Sequence, residues 1–174
     1  RQAVITSAAH LLGEAGLWKD SDALLQASLP KSHSPYYLMS QLASNAKKLG
    51  KKDEALSWYQ QAYDKSVGPA TRLQWGASYI TALIDLAPQD APRIEKAAAQ
   101  IFTETSKDGG SLHDRSGRSL ERICKKLAGW NGDAELAQRR QGYPSLGAGG
   151  SLFQSADEFS ELCEQLIDWN RRPG

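Results

Sequence analysis

The stretch PYYLMSQLASNAKKLGKKDEALSWYQQAYDK, residues 35–65, decides the fold. Its apolar residues recur three and four positions apart, first as Met39, Leu42, Ala43 and Ala46, then, past Gly50, as Ala55, Leu56, Tyr59, Ala62 and Tyr63. That is the period of a helix, not of a strand. Ser34-Pro35 supplies a cap residue with proline in the first turn, where its missing N–H costs nothing. Gly50 marks the stop between two helices. Ala43, Ala46, Ala55 and Ala62 are small among larger neighbours, so they leave holes that bulky side chains of an adjoining helix can fill.

Outward from this pair the same period continues, and no segment alternates as a strand would, so the chain reads as all-α. A first helix is expected over 2–15, with Val4, Ala8, Leu11 and Leu12 inward and a stop at Gly16; a second follows Asp20 or Ser21 as cap, with Ala23, Leu24, Ala27 and Leu29 inward. The third spans 35–49, and the fourth runs from Asp53 to just before Gly68-Pro69. A fifth covers 70–86, and a sixth begins after Asp90 and ends at Asp108. A seventh is expected over 114–127, with Asp114 as cap, and a short eighth over 133–141. The glycine-rich segment 142–154 reads as a linker joining a domain over 1–141 to a last helix over 155–170, opened by a capping box at Ser155-Ala156-Asp157-Glu158 and packing back on the domain.

Helix pairs of this length raise the question of an internal repeat. Gly16 and Ala23-Leu24 correspond to Gly50 and Ala55-Leu56 with a period of 32 (55 minus 23) and a first loop two residues longer; Trp75, Tyr79, Ala82, Ala98 and Phe102 make a third, looser unit with longer helices or a longer loop. The series Met39-x2-Leu42-Ala43-x2-Ala46, Gly50, Ala55-x3-Tyr59-x2-Ala62 resembles a tetratricopeptide repeat, and the resemblance extends over residues 1 to about 106. It implies an α-solenoid of antiparallel helix pairs with a C-terminal capping helix, and a concave groove that takes a protein or peptide. On that groove Tyr37, Ser40, Gln41, Ser44 and Lys48 form one wall, and Arg72, with Ser78 and Tyr79, the next. The Lys-and-Asn carboxylate clamp of some such proteins is not reproduced, because Ser44 stands where asparagine is wanted and Asn45 points elsewhere.

A narrower resemblance rests on Ser32-His33-Ser34-Pro35-Tyr36-Tyr37, Gly68-Pro69-Ala70-Thr71-Arg72-Leu73-Gln74-Trp75-Gly76 and Leu86-Ala87-Pro88-Gln89-Asp90-Ala91. These stretches look like the helical region that follows a thioredoxin-like domain in some bacterial exported proteins. The implied setting is a longer protein that handles thiols and disulfides, periplasmic or otherwise exported, with a cytoplasmic location as the alternative. A start at Arg1-Gln2-Ala3-Val4, without methionine, agrees with that expectation.

Composition narrows the partners. With 21 Lys and Arg against 20 Asp and Glu in 174 residues, the formal charge is +1, which carries no long-range field toward nucleic acid or an anionic membrane. The weakly polar run 77–87 falls far short of the roughly 18 apolar residues that a span needs. Cys124 and Cys163 stand in helical apolar patterns, and two readings are open: a disulfide across 39 residues (163 minus 124), or two buried thiols.

No catalytic pattern in the sequence is complete. His10, His33 and His113 lie on separate segments with no second histidine one turn away, so no metal site and no cofactor is expected. Ser111, His113 and Asp114 are too close in sequence to form a triad, and Gly147-Ala148-Gly149-Gly150 lacks the lysine and the preceding strand of a phosphate loop. Lys47, Lys48, Lys51 and Lys52 around Gly50 suit a helix C-terminus. The stripe Arg115, Arg118, Arg122 and Lys126 reads as a solvated face or as paired internally with Asp157, Glu158, Glu161 and Glu164, with an acidic partner as the alternative; no aromatic residue interleaves it to stack bases. The function expected is a non-catalytic binding or scaffold domain. The alternatives are a redox accessory in which Cys124 and Cys163 cycle, and the helical half of an enzyme whose catalytic domain lies upstream.

Overall fold

The structure is a computed structural model that describes the backbone of residues 2–107, 115–140, 161, 163 and 164, and the side chains of 4–105, 116–130, 161, 163 and 164. The described residues are helical, with no strand among them: α1 (Gln2–Glu14), α2 (Trp18–Ser28), a 3-10 turn (Leu29–Lys31), α3 (Pro35–Lys48), α4 (Lys52–Lys65), α5 (Pro69–Leu86), α6 (Ala91–Lys107) and α7 (Arg115–Arg140). They form two compact units that divide at Gly68/Pro69. The Asp114 cap, the segment 142–154 and the opening of the last helix at Ser155 lie outside the described residues; Glu161, Cys163 and Glu164 are helical.

The first unit comprises α1 to α4. α1 packs on α2, α3 on α4, and α3 also receives both α1 and α2. Its centre is Ala9, Leu25, Leu38 and Leu42, with Ile5, Leu24, Leu29 and Trp58 packed against them. Ala43, Ala46, Ala55 and Ala62 are all buried, so the small positions do bring α3 and α4 close together.

Both pairs turn by the same device. After α1, Leu17 N–H donates to Leu12 C=O at 2.8 Å and Gly16 N–H to Gly13 C=O at 2.9 Å; after α3, Lys51 N–H donates to Ala46 C=O at 2.9 Å and Gly50 N–H to Lys47 C=O at 3.1 Å. This double bond pattern is the Schellman motif, and it needs a left-handed residue: Gly16 has φ 77° and Gly50 φ 73°. α2 and α4 then each start two residues after the glycine. The structural period is therefore 34 (50 minus 16) and the two loops are equal, which corrects the period of 32 and the longer first loop.

That register explains two further departures. α2 begins at Trp18 instead of after Asp20 or Ser21, and Leu17 at its cap position makes no side-chain cap bond. Ser21, the counterpart of Ala55, is fully buried, whereas Ala23 and Ala27 are exposed. In α1 the inward residue is Ala9, the counterpart of Ala43, while Val4 and Leu11 face solvent at 70% and 68% exposure. Ser34 occupies the α3 cap position beside a Pro35 in the first turn, but it also makes no side-chain cap bond.

The second unit is built on α5, which packs against both α6 and α7. Two packed faces give this helix a wide apolar stripe: Leu73, Trp75, Ala77, Tyr79, Ile80, Ala82 and Leu83 are all buried. Ile94, Ala97, Ala98, Ile101 and Phe102 of α6, and Leu120, Ile123, Cys124 and Leu127 of α7, complete the core. Asp90 caps α6, its Oδ1 accepting from Arg93 N–H at 3.3 Å. At 18 and 17 residues, α5 and α6 are longer than the 14-residue α3 and α4, which accounts for the looser third unit. The expected seventh and eighth helices are one 26-residue helix, since Gly129 and Gly132 within it cost helix propensity without breaking it. Cys124 and Cys163 are joined as a disulfide, with Cα atoms 5.8 Å apart.

Candidate binding surfaces

Tyr37, Ser40, Gln41, Ser44 and Lys48 lie at helical spacing on α3, opposite the buried Leu38, Leu42, Asn45 and Ala46. Tyr37, Ser44 and Lys48 are exposed, and Ser40 and Gln41 half-buried, so these five share one accessible face. The Tyr37 ring is 47% exposed and tilts against Tyr36 with centroids 5.0 Å apart. A 34-residue shift from Ser40, Gln41, Ser44 and Lys48 reaches Thr6, Ser7, His10 and Glu14 of α1, of which Ser7, His10 and Glu14 are exposed. The polar face thus has a counterpart on the helix that packs beside α3. Counting the repeat from Gly16 and Gly50, rather than from the alanines, finds these α1 residues.

Beneath this face runs a buried polar chain. The Ser21 hydroxyl donates to the Ala9 carbonyl at 2.8 Å, and Asn45 Nδ2 donates to Ser21 Oγ at 2.8 Å and to Asp22 Oδ1 at 2.7 Å. One amide therefore ties α3 to α2, and through Ser21 to α1. Asn45 does point away from the groove face, as its neighbours require, and its Oδ1 is buried without a hydrogen-bond partner.

The remaining groove residues fall in the second unit. Arg72 is not a free cation: its Nε and Nη2 donate to Glu104 Oε2 and Oε1, both at 2.8 Å, a fork-to-fork pair that fixes α5 to α6. Tyr79 is buried and its hydroxyl accepts from Arg93 Nε at 2.9 Å, so it is core and not groove wall. Ser78 is half-buried on α5 and donates to the Gln74 carbonyl at 3.2 Å.

The basic stripe divides. Lys126 pairs with Asp85 of α5 at 2.6 Å, so its internal partner is on α5. Arg118 and Arg122 are exposed and, with Ser119, line a cleft of about 290 Å³ whose other wall is Gln74 and Ser78. The Arg115 side chain, Asp157 and Glu158 lie outside the described residues, and Glu161 and Glu164 are exposed. Lys47, Lys48, Lys51 and Lys52 are all exposed around Gly50, with Lys51 3.1 Å from Glu54.

Cys124 and Cys163 are 6% and 5% exposed. Among the described residues no group of His, Cys, Asp and Glu side chains is placed to hold a metal ion, and no helix is long and apolar enough to cross a membrane. No protein family, curated protein or solved structure matches the chain.

Proposed function

We propose that the chain is a non-catalytic, tetratricopeptide-like binding domain whose α1 and α3 faces receive a segment of a protein partner. The observation that carries this reading is the 34-residue repeat of a helix pair, turn motif included, that buries small residues on one side and presents Tyr37, Ser40, Gln41, Ser44 and Lys48 on the other. A period of 34 is that of tetratricopeptide arrays, in which antiparallel pairs stack and the first helix of each pair faces the groove. α5 and α6 make a lengthened third pair in this reading, and the last helix a cap.

The stretches that resemble regions following thioredoxin-like domains sit at helix starts: Ser34-Pro35 opens α3 and Gly68-Pro69 opens α5. In that setting an upstream domain supplies the dithiol chemistry in an exported protein, and this chain positions the client. The redox-accessory alternative needs an accessible sulfur, and the burial of both half-cystines favours a structural cross-link instead.

The test is substitution of the face alone. Tyr37→Ala with Lys48→Glu, both at exposed positions, should leave the thermal midpoint within a few degrees and reduce partner binding at least tenfold in a titration with a captured client. Unchanged binding by a folded variant overturns the assignment of this face.

A further inference from the structure

The cleft between α5 and α7 holds two guanidinium groups that the described residues of the second unit leave unmatched. Three other cations of the unit are engaged: Lys126 by Asp85, Arg72 by Glu104, Arg93 by the Tyr79 hydroxyl. Among the described residues Arg118 and Arg122 make no ion pair, and no carboxylate lines the cleft. Facing them are an amide and hydroxyls, Gln74, Ser78 and Ser119, which can donate to an anion without adding charge.

From this geometry we infer that the α5/α7 cleft is a second binding site, for an acidic peptide segment that sets two carboxylates against Arg118 and Arg122. The two arginines stand one helical turn apart on α7, so their bases are separated by about 6 Å. Same-side residues of an extended peptide are about 6.5–7 Å apart, which lets a Glu-x-Glu segment address both forks at once. A volume of about 290 Å³ accommodates side-chain carboxylates and not a folded domain. None of the described lining residues is aromatic, so they offer no stacking platform of the kind that single-stranded nucleic acid uses. The site is independent of the α3 face, and either can fail alone.

The experiment is fluorescence anisotropy of the full chain with a labelled hexaglutamate peptide, and with hexaglutamine as the uncharged counterpart. Binding of hexaglutamate alone, weakened at least tenfold by Arg118→Glu with Arg122→Glu and by less than twofold by Lys19→Glu or Lys65→Glu, both at exposed positions, is the expected result. Arg118→Gln with Arg122→Gln replaces the reversal pair if circular dichroism shows that the latter does not fold, and the same loss is expected. Four results overturn the proposal: equal binding of the two peptides, an equal loss through Lys19→Glu or Lys65→Glu, tighter binding of an oligothymidine, or displacement by inorganic phosphate at concentrations comparable to the peptide's.

Discussion

Asn45 joins three helices from one amide nitrogen, and it does so from a fully buried position. Removing it leaves a void and breaks the link to Ser21 and Asp22, so Asn45→Ala should lower the unfolding free energy by about 1–3 kcal/mol in a urea titration. Asn45→Asp should cost more at neutral pH, because it sets a buried carboxylate where an N–H donated to Asp22. Burial raises the folded-state pKa of the introduced carboxyl above its unfolded value. The folded chain then holds the proton more tightly, and the loss should shrink as pH falls. This network was not legible in the sequence. A serine at the expected start of α2 reads as a cap, and Asn45 reads only as pointing away from the groove; only the 34-residue register places Ser21 opposite Ala9 and beneath Asn45.

At the scale of elements, the sequence period was enough to place each described helix and its inward stripe wherever large residues mark the core, as in α3, α4, α5 and α6. It misled where the core positions are small or polar. In α1 and α2 the stripe is Ala9, Ser21 and Leu25, while the more conspicuous Val4 and Leu11 face solvent. Glycines are ambiguous for a similar reason, since one residue type both ends helices and sits inside them. Gly50, at φ 73°, is a stop, and Gly50→Ala should destabilise the first unit by about 1 kcal/mol. Gly129 lies inside α7, and an added Cβ there meets nothing within 4 Å. Gly129→Ala should therefore stabilise by about 0.5–1 kcal/mol. Opposite shifts in the two variants' denaturation midpoints check both statements. Of the candidate site, the α3 face was legible because exposed polar residues at helical spacing lie opposite a clear apolar stripe. The pairing of Arg72 with Glu104 was not, because two residues 32 positions apart meet only through the packing of α5 on α6.

For the molecule as a whole, the disulfide and the bound face make separate claims. The Cys124–Cys163 bond closes a 39-residue separation, and the chain-entropy model assigns such a loop about 4 kcal/mol. Cys124→Ser with Cys163→Ser should lower the stability of the second unit by up to that amount while leaving binding at the α3 face unchanged. A loss of binding with full stability would instead point to the redox reading. The central claim, a protein partner held on the α1 and α3 faces, is tested most directly by position-specific photo-crosslinking. A photoreactive residue is placed in turn at Ser7, His10, Gln41, Ser44 and Lys48, and at the exposed Lys19, Gln26 and Asp64 of α2 and α4 as controls. Adducts to a common partner at the α1 and α3 positions, with little at the controls, are the predicted result. Equal yields at both sets, or adducts confined to α2 and α4, would contradict it.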